Sequence, residues 1–149
     1  MFFSKSFGYA IRAIHYLALH CPGKKWVQLN EIADYLKIPQ AFLGKLMINL
    51  VREGVVDSRK GPSGGFCVNE KTLNHTLIRL LAITGEKIGL DSCVLRMRDC
   101  DSANPCPLHF LTGRLRDEWV LFLSSTTMED LMKSGNEQVI QTLTNPGNQ

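Results

Sequence analysis

The sequence predicts a mostly α-helical chain with a small β-hairpin and a long helix near its C-terminus. Three observations carry this. Apolar residues recur at helical spacing in short runs before residue 53. A basic, glycine-rich turn then separates two β-prone runs between residues 55 and 69, and a wide apolar helical stripe returns after residue 107. At 149 residues the chain has room for one ordinary domain, or a small domain with an extra helix, and not for two independent globules.

Tyr9 to Leu19 form the first run, with Ser6 as the expected N-cap and Pro22-Gly23 as the stop. Val27 opens extended, and a short second helix follows through Leu36, with Asn30 as cap and Ile32, Ala33 and Leu36 on one stripe. Pro39 ends it, because proline disfavours helical geometry in the residue before it yet suits the start of a new helix. The third helix, Gln40 to Arg52, is expected to bury Phe42, Leu43, Leu46, Met47, Leu50 and Val51. Gln40, Ala41, Gly44, Lys45, Ile48, Asn49 and Arg52 are left nearer the outside, and Gly54 closes the helix as a left-handed cap.

Val55 to Arg59 and Phe66 to Asn69 read as strands joined by Lys60-Gly61-Pro62-Ser63-Gly64-Gly65. Helix, helix, short break, helix, hairpin is the order of a winged helix-turn-helix. A further short helix is expected from Thr76 to Thr84, ended at Gly85. Residues 91–106 lack any period and read as a loop of about 15 residues, long enough to call for a functional or ligand-based reason. From Leu108 to about Leu123 a strong helix returns, its apolar face marked by Phe110, Leu111, Leu115, Trp119, Phe122 and Leu123. That face exceeds what a 75-residue wing domain covers, so it is expected to pair with a second copy. A weak helical pattern from Met128 to Met132 gives way to a polar tail, expected to be disordered.

The expected organisation is therefore a winged helix-turn-helix domain over residues 1–75, a connecting helix over 76–92, a cysteine-rich loop over 93–109, a dimerisation helix over 108–132 and a polar tail over 133–149. Hydrophobic residues make up 44% and charged residues 21%, and no apolar run of 18 residues exists to cross a bilayer. The start, Met1-Phe2-Phe3-Ser4-Lys5-Ser6, has no export-signal pattern, and a cytoplasmic location is expected.

The net charge of +3 is unevenly divided. Residues 1–75 hold 10 Lys and Arg against 5 Asp and Glu, and residues 76–149 hold 7 against 9, so the first half carries +5 and the second −2. Such a split suits one end facing a polyanion. The outer face of the third helix offers Gln40 and Lys45 as donors and acceptors for base edges, with Ala41 and Asn49 beside them. Arg59 and Lys60 can reach phosphates or the minor groove from the hairpin tip, where Gly61, Gly64 and Gly65 allow close backbone approach and Ser63 is a further DNA-contact candidate. Lys5, Arg12, Lys37 and Arg52 are placed as further phosphate contacts. The same charges would also suit the solvated surface of a winged-helix module that binds a protein partner.

Five cysteines, an odd number, argue against a disulfide framework. Cys93-x6-Cys100-x5-Cys106-x2-His109 brings three thiols and an imidazole into 17 residues. That donor set suits a structural zinc site and an iron–sulfur cluster equally, with three unrelated thiols as the remaining alternative. Cys21 and Cys67 lie beside apolar residues and read as core fillers, and His15 and His20 as packed or solvated side chains. No phosphate loop, nucleophile elbow or paired catalytic carboxylates occur, so no enzyme is expected.

Phe7-Gly8-Tyr9-Ala10, Leu29-Asn30-Glu31-Ile32-Ala33, Phe42-Leu43-Gly44-Lys45-Leu46, Gly54-Val55-Val56 and Lys60-Gly61-Pro62-Ser63-Gly64-Gly65-Phe66 resemble, in order and spacing, the bacterial Rrf-type winged-helix repressors, nearest their iron–sulfur cluster regulator branch. The resemblance spans about residues 1–130. It implies a homodimeric transcription regulator acting on palindromic double-stranded DNA, with a 2Fe-2S cluster held by Cys93, Cys100, Cys106 and His109. Three departures accompany it. The first cysteine interval is six residues where the family has five. Gly8 stands where nitric-oxide-sensing relatives carry an acidic ligand, which gives His109 more weight as the fourth ligand. Gly44 stands where the cluster regulator carries a glutamate that separates two DNA site classes, so that discrimination does not transfer. Lys60 matches the wing arginine and Lys45 a base-reading polar residue.

Overall fold

The first helix, α1, runs Lys5–His20 in the computed structural model, which describes residues 3–21, 23, 25–85 and 101–134. Its cap is Ser4 rather than Ser6. The Ser4 hydroxyl accepts from the Phe7 N–H at 3.3 Å and the helix starts two residues earlier than a Ser6 cap would allow. α1 buries Phe7, Ala10, Ala13, Ile14, Tyr16 and Leu17, a spacing of three and four that keeps one face inward.

α2 spans Leu29–Leu36 and α3 spans Gln40–Arg52. α2 begins one residue before Asn30, with Gln28 in the cap position. Lys37 ends it in the left-handed region at φ +54, Ile38 turns inward and donates to the Ala33 carbonyl, and the Pro39 carbonyl accepts from Phe42 and Leu43 to start α3. The tight break thus comes from one left-handed residue and one proline. α3 buries Leu43, Leu46, Met47 and Leu50. Phe42 and Val51, expected inside, do not join them. Phe42 is 41% exposed with its ring edge-on to Tyr9 at 5.6 Å, and Val51 is half-buried at the margin of the core. Both lie at the edges of a stripe centred on Leu43 and Leu50.

Gly54 takes φ +72 and the chain turns into the hairpin β1, Val56–Arg59, and β2, Gly65–Val68. They pair antiparallel in the register Val56 with Val68 and Arg59 with Gly65. The wing root is tied back to the start of α2. The Val27 N–H donates to the Phe66 carbonyl at 3.0 Å and the Phe66 N–H to the Val27 carbonyl at 2.8 Å. Gly65 lies against this bridge at φ +145, and a Cβ there would collide with the Val27 carbonyl. Behind the sheet, buried Thr72 in a 3-10 turn, Thr72–Asn74, donates to the Val55 carbonyl at 2.6 Å and accepts from the Asn69 N–H at 2.8 Å.

α4, Leu77–Ile83, leads to Gly85, where the description pauses. The expected loop over residues 91–106 lies outside the described residues up to residue 100. The final helices are α5, His109–Ser125, and α6, Met128–Ser134. The bend between them closes on the wing domain. The Met128 N–H donates to the His75 carbonyl at 3.1 Å and the Leu77 N–H to the Thr126 carbonyl at 2.9 Å, beside a Thr76–Thr127 bridge. Leu123 and Met128 are fully buried in the same core as Ile14, Leu17 and Leu50.

Gly65→Ala is expected to destabilise the fold by about 1–3 kcal/mol, the cost of forcing a side chain into a backbone region that excludes it. Urea unfolding checks this, and an unchanged midpoint would mean that the wing root is not packed as described.

Candidate nucleic-acid interface and cysteine loop

The core stripe of α3 leaves its opposite face bare. Gln40, Ala41, Lys45 and Arg52 are exposed, Gly44 and Asn49 are half-buried, and Ile48 is 63% exposed. α3 contains no acidic residue. Arg59, Lys60, Gly61 and Ser63 are all exposed at the tip of the hairpin. The tip has a defined shape. The Gly64 N–H donates to the Gly61 carbonyl at 2.9 Å, and a Cβ at Gly64 would collide with the Arg59 carbonyl. Gln28 braces it from outside, its side-chain amide donating to the Pro62 carbonyl at 2.9 Å. Sequence reasoning missed Gln28, because its partner is 34 residues away and glutamine carries no signature for such a reach.

The placed phosphate contacts divide. Lys5 and Lys37 are exposed, and Arg52 lies 3.8 Å from Glu53 in an exposed pair. Arg12, expected to face phosphate, instead donates to the Leu36 carbonyl at 2.8 Å, capping the end of α2, while its guanidinium carbon lies 5.8 Å over the Tyr9 ring. Burial lowers its pKa. It holds the helix-turn-helix together.

Of the cysteine set, Cys93 and Cys100 lie outside the described residues. Cys106 is half-buried with a free thiol, and His109 is the first residue of α5. One turn joins them, the His109 N–H donating to the Cys106 carbonyl at 2.9 Å. Among the described residues no three metal-ligating side chains converge. A thiol and an imidazole in adjacent turns fit the donor chemistry of a soft metal or an iron–sulfur cluster, and the positive end of α5 favours the negative charge that thiolate ligation brings.

The other thiols are of a different kind. Cys21 and Cys67 are buried against one another at the wing root, the Cys67 thiol 3.9 Å from the Cys21 carbonyl. Burial, then the hydrogen bond to Cys67, pushes the Cys21 thiol up to about 12. His15 is buried in α1, and its Nδ1 has no hydrogen-bond partner among the described residues. The same holds for Nε2 of His75. His20 lies ring-on-ring with Tyr16 at 4.0 Å, and its Nδ1 is 2.9 Å from the Tyr16 carbonyl. His15 and His20 are packed side chains, one of the two states expected of them.

A helix-turn-helix whose third helix leaves its outer face bare, with a braced basic wing on the same core, defines a winged helix-turn-helix of the transcription-regulator class. Residues 3–134 match the family model described as Rrf2, iron-dependent transcriptional regulator, and the chain belongs to that family. An Aquifex aeolicus protein, provisionally named an HTH-type transcriptional regulator, is 35% identical over 134 residues, covering 89% of this chain and 92% of its own. The HTH-type transcriptional regulator IscR of Photorhabdus laumondii is 28% identical over 132 residues, covering 89% and 78%. Among solved structures, CymR, the global cysteine regulator of B. subtilis, superposes with a TM-score of 0.68 at 23% identity, over 91% of this chain and 99% of that one. T. potens IscR gives 0.65 at 21%, over 91% and 88%. These likenesses establish the shared fold. No helix among the described residues is long and apolar enough to cross a membrane.

Two predictions follow from the buried groups. Burial lowers the pKa of His15 and of His75, the latter helped by nearby Arg79, so the unfolded chain binds more protons near the ordinary value of 6.5. Stability is therefore complete above about pH 6.5 and falls as pH drops toward the folded-state values; thermal melts across pH 7.5 to 5 check the slope, which His15→Leu should flatten. In the folded protein stripped of metal and cluster, a thiol-alkylating reagent is expected to label Cys106 while sparing Cys21 and Cys67, as read by peptide mass spectrometry. Equal labelling of all three would contradict the packing at the wing root.

Proposed function

We propose that this Rrf2-family regulator acts as a homodimer on palindromic double-stranded DNA and senses iron–sulfur, redox or nitric oxide status through a cluster held by Cys93, Cys100, Cys106 and His109. The observation that carries the DNA-reading half is the acid-free outer face of α3 together with the exposed Arg59-Lys60 tip. In this reading Gln40, Ala41, Lys45 and Asn49 meet base edges in the major groove, and Arg59, Lys60, Gly61 and Ser63 meet the backbone or minor groove. Residues 1–75 form the DNA-binding domain and residues 108–132 the dimerisation segment.

Support for pairing comes from α5, where Phe110, Leu111, Leu115, Leu121 and Phe122 are 46–72% exposed in the single chain. An apolar surface of that kind in a soluble regulator marks a contact with another chain, and a second copy places two reading helices on two half-sites. When bound, a cluster supplies a redox-labile link among thiolates and imidazole. The chain's own part is to connect that loop to the reader: Cys106 sits in the turn that leads into α5 and His109 opens the helix, whose far end packs Leu123 in the core and bonds to Leu77 through Thr126. A change in the loop is thereby passed along one rigid helix to the base of the wing domain.

Anaerobic purification with iron, sulfide and zinc analysis tests the cluster. Iron with sulfide and absorption between about 320 and 460 nm, lost in Cys106→Ala while the dimer stays folded, is the expected result; zinc alone, which is spectroscopically silent, would replace sensing by a structural staple. For DNA, affinity for a palindromic duplex should fall steeply with salt. Lys60→Ala should weaken all sequences, and Lys45→Ala should alter the preference among them. Equal losses at both positions would mean that the reading helix has been misplaced.

A further inference from the structure

We propose that Ile48 is a specificity-determining residue that reads thymine, through the C5-methyl group, beside the base contact of Lys45. The inference rests on the DNA-reading role given to α3 above and names what its central stripe selects.

Successive residues of an α-helix are about 100° apart, so Ala41, Lys45, Ile48 and Arg52 fall in one narrow row down α3. That row lies opposite the buried Leu43, Leu46, Met47 and Leu50. All four of its members are exposed, and Ile48 is 63% exposed although apolar. Folding does not account for this isoleucine. It packs on nothing in the core, and a β-branched side chain in a helix interior is a weaker helix former than alanine, lysine or leucine.

Its chemistry does suit a base edge. A β-branched side chain in a helix is held to essentially one rotamer, so its methyl groups are presented at fixed positions with little entropy to lose on contact. In the major groove the thymine C5-methyl is the apolar feature that distinguishes one base pair from another. The occupant of the row is set by charge: Lys45 lies one turn before Ile48 and Arg52 one turn after, and α3 carries no acidic residue. A polyanion is drawn to that row, and a duplex offers apolar methyl groups inside a phosphate frame.

The test uses the full chain, with duplexes selected by it from a random-sequence pool at fixed salt. Each thymine of one half-site is replaced singly by deoxyuridine, which removes only the methyl group. One such replacement is expected to weaken wild-type binding about 4-fold, the worth of one apolar carbon taken out of water. Ile48→Ala should lose the same factor on the thymine duplex and be insensitive to that replacement. Because Ile48 is exposed, an unchanged melting temperature will accompany the variant. Thymine reading is overturned if wild type and Ile48→Ala respond alike to every replacement, or if Ile48→Ala binds the selected duplex as tightly as wild type. Recovery of no preferred duplex by the wild-type chain would instead remove the underlying DNA-reading role, and this proposal with it.

Discussion

The two hydrogen bonds between Val27 and Phe66 are the constraint on which the reading surface depends. They join the chain entering α2 to the second strand of the wing, so the element that leads into the helix-turn-helix and the element that carries Arg59 and Lys60 share one backbone seam. Backbone groups at that depth need partners, and the seam supplies them. Gly65 makes it attainable, since no side chain fits against the Val27 carbonyl, and Gln28 extends the same connection to the tip through Pro62. An isolated two-stranded hairpin is marginal in water. Here it is held at both root and tip, which fixes where the wing stands relative to the helix-turn-helix.

A second seam joins the C-terminal helices to the same domain. His75, Thr76 and Leu77 exchange backbone hydrogen bonds with Thr126, Thr127 and Met128, while Leu123 and Met128 enter the core built around α1 and α3. The C-terminal helices are thus continuous with the wing domain in packing. α5 has His109 at one end, one turn after Cys106, and this seam at the other, with a largely bare apolar surface between them. Its Leu123 end is buried in the core of the wing domain, while Phe110, Leu111 and Leu115 stay exposed.

Much of this was legible in the sequence because it is written locally. The 3.6-residue period of Leu43, Leu46, Met47 and Leu50, the Pro39 break, Gly54 and the glycine-rich tip fix α3 and the hairpin to within a residue or so. The outer residues of α3 followed by subtraction. What escaped depends on partners distant in the chain. Arg12 reads as a surface cation until Leu36 is folded beside it, 24 residues on. Phe42 reads as core until Tyr9 offers its ring an outer resting place. The first-turn serines are alike in the sequence, and only the geometry selects Ser4. The Thr72, Asn69 and Asp57 knot behind the wing has no periodic signal at all. For the cysteine set, spacing defines the donors, while the described residues bring two of them, Cys106 and His109, into one turn.

The central claim is that wing and reading helix form one braced unit, and amide hydrogen exchange measures it directly. The Val27 and Phe66 amides are predicted to exchange as slowly as those of Leu46 and Leu50, opening only when the domain unfolds. Exchange at Val27 and Phe66 as fast as at the exposed Lys60 and Ser63 amides would show a wing that swings free of the helix-turn-helix, and would contradict the account.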